Sequence, residues 1–142
     1  LEGGAPIELG SLSAERDWGS AEDYTKAMID LLDVEQPDDY VFATGTLTSV
    51  RDFLSFSAVA AGFEPVFEGE GLLEVCIDKI TGKKLAHVSE RYFRPFETST
   101  RFGDATKLIE KIRWQGSRTI EMLATEMLLT DINRRKKGIT NV

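Results

Sequence analysis

The 142-residue sequence holds one cysteine, Cys76, and one histidine, His87. A single cysteine excludes an internal disulfide, and the two residues together exclude a zinc site built on Cys and His spacing within the chain. A Ser-His-Asp or Cys-His site could draw only on His87. No Gly-x-Gly-x-x-Gly or Gly-x-x-Gly-x-x-Gly turn follows a candidate strand, and there is no phosphate-binding P-loop. None of the three tyrosines has a lysine four residues on: Tyr24 is followed by Met28, Tyr40 by Thr44 and Tyr92 by Phe96. The pairing that lowers a phenol's pKa for proton transfer is therefore missing. No EF-hand loop is present. No apolar run approaches the ~20 residues of a membrane span. The chain opens on Leu1, with no charged stretch, apolar core and cleavage site of a signal peptide behind it. Catalytic residues and metal ligands are not expected from this inventory.

What is present describes a folded domain. Hydrophobic residues make up 42% of the chain, too many for a disordered segment. Residues 1–142 are expected to form a single domain. Acids outnumber bases 24 to 17, a net charge of -7, which argues against nucleic acid as a partner. One cysteine suits a reducing compartment, so a cytoplasmic location is expected, without a membrane partner.

Periodicity gives the elements. Pro6–Leu9 reads as a short strand. Ser20 with Asp23 opens a helix whose face is Tyr24, Ala27, Met28, Leu31 and Leu32. Tyr40–Thr44, closed by Gly45, reads as a buried strand. Ser49 with Asp52 opens a second helix, ended by Gly62. Pro65–Phe67 is another short strand. Val75 and Ile77 alternate with polar neighbours, Thr81-Gly82-Lys83 turns, and Leu85–Val88 returns as a hairpin. Asp104 caps a short helix, and Ser117 or Thr119 starts a longer one. The fold class is mixed α/β, with short strands and about four helices.

Two segments place arginines beside aromatic and acidic residues. Arg16-Asp17-Trp18-Gly19 lies between the first strand and the first helix. Arg91-Tyr92-Phe93-Arg94-Pro95-Phe96-Glu97 lies between the hairpin and the third helix. Arginine's planar fork of donors matches phosphate oxygens two at a time, and a Glu carboxylate accepts from two sugar hydroxyls. Two loop arginines and a loop Glu suit a nucleotide diphosphate. The plainer reading pairs Arg16 with Glu15 or Asp17, and Arg94 with Glu90 or Glu97. Trp18 is expected to pack on Tyr24 or Met28, His87 to be a strand residue without chemistry, and Cys76 to be a small buried hydrophobe.

Leu9-Gly10-Ser11-Leu12-Ser13-Ala14-Glu15-Arg16-Asp17-Trp18-Gly19 resembles the Leu-Gly-Asn-Leu-x-Ala-x-Arg-Asp-Trp-Gly segment of GDP-mannose 4,6-dehydratases, members of the extended short-chain dehydrogenase/reductase superfamily. Ala43-Thr44-Gly45, Ser49-Val50-Arg51-Asp52-Phe53, Thr81-Gly82-Lys83, Tyr92–Glu97 and Gly103-Asp104-Ala105-Thr106-Lys107 followed by Trp114 are similar to further motifs of that family, in the same order. Ser11 stands where the family has Asn, Phe96 where it has Thr, and Gly116 where it has Pro. The resemblance implies a small C-terminal substrate domain, with the N-terminal Rossmann part that holds NADP and the catalytic residues absent. It implies that Arg16 contacts the diphosphate or ribose and Arg94 the diphosphate. Glu97 would accept from the ribose hydroxyls, and Leu9, Gly10, Ser11 and Leu12 would line the nucleotide. GDP-mannose is the implied ligand, the missing Rossmann half the implied partner, and a homo-oligomer the implied state of the complete enzyme. The chain alone is expected to bind no cofactor, to be inactive, and to self-associate weakly through apolar surface. A stand-alone nucleotide-sugar-binding module, a part of another nucleotide-sugar reductase, epimerase or dehydratase, and a protein-interaction domain are the other readings.

Overall fold

The hairpin foreseen by alternation is the middle of a four-stranded sheet. A computed structural model of the chain describes residues 4–94 and 102–139. Strands β5 (Val75–Asp78) and β6 (Lys84–Val88) pair antiparallel. Asp78 fixes their turn, its carboxylate accepting from the Thr81 hydroxyl at 2.5 Å and from the Thr81 and Glu64 amides at 3.1 and 2.9 Å. These donors, the Thr81 hydroxyl first, hold the Asp78 carboxyl below the usual range. Strand β4 (Pro65–Glu68) joins β5 antiparallel, and β1 (Ile7–Leu9) joins β6 parallel, giving the order β1-β6-β5-β4.

One face of this sheet carries Leu9, Cys76, Ala86 and Val88, and the last three are buried. Helix α2 (Val50–Ala60) packs on helix α4 (Ile120–Lys136). Both start on the caps the sequence indicates. Ser49 Oγ accepts from the Asp52 amide at 3.0 Å, and Thr119 Oγ1 from the Met122 amide at 3.2 Å. Gly62, at φ +86°, takes the left-handed position just past α2. Arg51 on α2 stands 2.6 Å from the buried Glu74 Oε1, an ion pair whose alignment falls outside hydrogen-bond geometry. Helices α1 (Ala21–Asp30) and α3 (Thr106–Ile112) bring the α-helices among the described residues to four, so the mixed α/β class with short strands is correct.

Two expectations fail locally. Residues 40–44 form no strand, and Val41 is 52% exposed. A two-stranded ribbon not foreseen in the sequence stands beside them, β2 (Glu15–Asp17) antiparallel to β3 (Leu47–Ser49). The apolar face expected of α1 and its exit is only partly buried: Ala27 is fully covered, but Met28 is 50% and Leu32 82% exposed. Among the described residues, Leu12, Leu108 and Cys76 are the largest fully buried side chains, and most of the remaining buried hydrophobic residues are alanine. No helix among the described residues is long and apolar enough to cross a membrane.

Candidate functional site

The segment after β1 is held from two sides. The Ser89 amide donates to the Leu9 carbonyl at 2.8 Å, extending the β1–β6 pairing by one step. Ser89's own carbonyl then accepts from the Tyr92 and Phe93 amides at 3.0 and 2.9 Å. That turn lays the Tyr92 backbone over Gly10. A Cβ at Gly10 would lie 2.8 Å from the Tyr92 carbonyl oxygen, so only glycine lets the two backbones meet. Leu12 is fully buried and anchors the other end. The carbonyls of Leu12 and Ala14 accept from the Arg51 and Val50 amides at 2.9 and 3.0 Å. The first free amides of α2 are thereby used inside the protein and are not presented to an anion.

Of the residues expected to meet the nucleotide, Leu9, Gly10, Ser11 and Leu12 form this strap, and Ser11 Oγ bonds to Ser13 Oγ at 2.9 Å. Arg94 is exposed at the end of the turn that crosses it. Arg16 stands four residues beyond Leu12, on β2 opposite Thr48 of β3, with Nη1 donating to the Glu15 carbonyl at 2.7 Å. Glu97 lies outside the described residues. The structure thus brings the Leu9–Leu12 strap and the Arg94 turn into contact.

Asp17, a candidate partner of Arg16 in the sequence, holds the backbone at residues 44–45. Its carboxylate accepts from the Thr44 amide at 2.8 Å, the Thr44 hydroxyl at 2.6 Å and the Gly45 amide at 2.9 Å. The Thr44 and Gly45 amides, which a strand would have paired with a neighbour, are satisfied by one side chain. Trp18 turns away from Tyr24 and Met28. It stacks on Phe53 with centroids 5.0 Å apart and planes at 20°, and its Nε1 donates to the Thr48 carbonyl at 2.9 Å. Tyr24 instead covers Gly19 and meets Phe42 and Trp114. Its phenol is pushed up by burial and by Asp17 and Asp23.

Thr44 lines two cavities. One, about 460 Å³, runs from Ala43 to Phe102 and Trp114; the other, about 350 Å³, lies between Trp18, Thr48, Gln115 and Arg118. Their far wall is fixed by Asp23 on α1, which accepts from the Ser117 hydroxyl at 2.6 Å and the Ser117 amide at 2.9 Å. These donors and Arg118 hold the Asp23 carboxyl below the usual range, the Ser117 hydroxyl contributing most. No sequence signal joins residues 94 positions apart; Asp23 instead suggested a local capping box. Cys76 is buried, as expected, and burial pushes its thiol up. His87 sits in β6 with a buried Nδ1 that has no partner among the described residues. Among those residues, no group of three His, Cys, Asp or Glu is placed to hold a metal ion.

The strap, the ribbon and the paired helices α2 and α4 make a mixed α/β fold that recurs in solved structures. The chain superposes on RMD from Pseudomonas aeruginosa, a structure complexed with NADPH, with a TM-score of 0.68 over 91% of this chain and 36% of that one, at 18% identity. It superposes on the UDP-glucose 4-epimerase of Bifidobacterium longum, complexed with NAD+ and UDP, with a TM-score of 0.65 over 96% and 36%, at 16% identity. Sequence comparison is narrower. Residues 2–127 match the family model of GDP-mannose 4,6 dehydratase, and the chain belongs to that family. It is 41% identical over 127 residues to the GDP-mannose 4,6-dehydratase of Sinorhizobium fredii, covering 89% of this chain and 36% of the relative. It is 40% identical over 126 residues to that of Homo sapiens, covering 89% and 34%. The chain spans about a third of the length of these curated relatives.

Proposed function

We propose that residues 1–142 act as one domain, the GDP-sugar-binding part of a GDP-mannose 4,6-dehydratase, working in the cytoplasm with an NADP-holding catalytic part. The observation that carries the reading is the crossing of the Leu9–Leu12 strap by the Arg94 turn at Gly10. Two separate motifs of the family, far apart in sequence, meet there. Arg94 is exposed and offers its fork to a diphosphate, while Arg16 reaches the same ligand from β2. Glu97, three residues beyond Arg94, takes the ribose hydroxyls.

NADP is assigned to the catalytic part. The glycine-rich strand-to-helix turn that approaches a pyrophosphate is missing from the sequence, and the amides at the start of α2 are bonded to Leu12 and Ala14. The contribution of this chain is binding. The GDP group is held remote from the reacting sugar carbons, and that binding energy fixes the sugar where the catalytic part acts on it. The overall conversion is GDP-mannose to GDP-4-keto-6-deoxy-mannose, and no residue of this chain moves a proton in it. Amide chemical shifts recorded during addition of GDP test the placement. Gly10, Ser11, Leu12, Arg16 and Arg94 are expected to shift together, and shifts confined to other residues would refute it.

A further inference from the structure

Arg51, the second residue of α2, holds two parts of the molecule at once. Its amide donates to the Leu12 carbonyl at 2.9 Å, at the far end of the strap. Its guanidinium reaches the other way, with Nη2 2.6 Å from Glu74 Oε1 and Cζ 5.6 Å from the centre of the Phe67 ring on β4. Glu74 stands just before β5, and its side chain is only 4% exposed. Glu74 Oε1 has no aligned hydrogen-bond donor among the described residues, so the Arg51 charge is what offsets this buried carboxylate.

Glu74 is built into the strand pair that carries the Arg94 turn. Its carbonyl accepts from the Val88 amide at 3.0 Å, one step beyond the paired residues Val75 and His87. The next residue, Ser89, donates to the Leu9 carbonyl and accepts from the Tyr92 and Phe93 amides. The Tyr92 carbonyl then meets Gly10, two residues before Leu12. Two routes therefore leave Arg51. One runs through its backbone to the strap, the other through Glu74, Val88 and Ser89 to the turn, and they close on each other where Gly10 meets Tyr92. Burying one member of an ion pair gains little stability, because desolvation opposes the attraction. What such a pair does is favour one arrangement of the segments that carry it.

We propose that Arg51 and Glu74 are positioning residues for the nucleotide diphosphate, keeping the Leu9–Leu12 strap and the Arg94 turn at the spacing the ligand requires. Neither side chain needs to touch the ligand. The proposal rests on the nucleotide-sugar reading above.

GDP titration and native-state amide exchange of the whole chain test it together, with circular dichroism confirming that each variant folds. Arg51→Met removes the cation and keeps the amide, and it is expected to weaken GDP binding about tenfold. The Ser89, Tyr92 and Phe93 amides are expected to exchange faster by a larger factor than those inside α4. A pair that serves stability alone would speed exchange everywhere by one factor and leave affinity in place. Glu74→Gln is expected to act in the same direction. Arg51→Met combined with Glu74→Gln is expected to bind no more weakly than the weaker single variant, since one residue acts through the other. Arg51→Lys, which keeps the charge, is expected to bind more tightly than Arg51→Met. Unchanged GDP affinity in Arg51→Met, a uniform rise in exchange, or additive losses in the double variant would each overturn the positioning role while leaving the nucleotide site standing. A wild type that binds no GDP would instead overturn the nucleotide-sugar reading, and the role with it.

Discussion

Gly10 and Tyr92 touch through their backbones: a Cβ on Gly10 would sit 2.8 Å from the Tyr92 carbonyl oxygen. The obstacle is main chain, fixed by the Ser89 turn, so it cannot swing aside. Gly10→Ala is expected to push the Arg94 turn away, costing about 1–3 kcal/mol of stability as an overpacked contact. A urea midpoint and a GDP titration on the same protein check this. An unchanged midpoint with unchanged binding would show that the crossing is slack.

Arg94 and Arg16 are exposed or half-buried cations with a proposed phosphate partner. In a complete dehydratase containing this domain, Arg94→Ala is expected to weaken GDP-mannose binding by about 1–3 kcal/mol, the order of a lost charged hydrogen bond. Arg16→Ala should act in the same direction. The check is KM and kcat measured side by side. Both unchanged would remove Arg94 from the site.

Asp17 fixes the backbone at Thr44 and Gly45, at the end of a stretch that forms no strand. Asp17→Ala leaves the Thr44 and Gly45 donors without their acceptor and is expected to cost about 2–4 kcal/mol. Asp17→Asn keeps an acceptor at one oxygen and should cost less. Chemical denaturation of the two variants beside the wild type gives the ordering, and an equal loss in both would contradict the bonding described.

Asp23 sets a pH dependence. The Ser117 hydroxyl, the Ser117 amide and Arg118 hold its folded pKa below the usual carboxylate range, so the ionised form is favoured in the folded state. The stability it contributes is complete above about pH 5 and is lost as the pH falls through the folded value. Asp23→Asn is expected to be less stable than wild type at pH 7, with the difference shrinking as the pH approaches about 3. Melting temperatures across that range measure it, and a difference independent of pH would rule out the carboxylate as the cause.

The caps and the hairpin were legible because each is written in neighbouring residues: Ser49 with Asp52, Thr119 before a helical stripe, Thr81-Gly82 between alternating strands. The ribbon of β2 and β3 was not. Glu15-Arg16-Asp17 and Leu47-Thr48-Ser49 are three residues long and show no alternation a sequence window can detect. Tyr40–Thr44 has a strand's composition, but a carboxylate 27 positions away takes the Thr44 amide. Asp23, at the third position after Ser20, has the spacing of a local cap, yet it accepts from Ser117, 94 positions on. Of the candidate site, the Leu9–Leu12 strap and Arg94 were visible as motifs. Their contact depends on Gly10 and the Ser89 turn, which only the tertiary structure shows.

In the proposed function this chain holds the GDP-sugar. That function is tested most directly by calorimetric titration of the chain with GDP-mannose at low salt, with GDP and UDP-glucose as comparisons. Binding of both GDP ligands, weaker binding of UDP-glucose, and loss of binding in Arg16→Ala and Arg94→Ala are expected. Equal affinity for UDP-glucose, or GDP-mannose binding that survives both substitutions, would contradict the assignment.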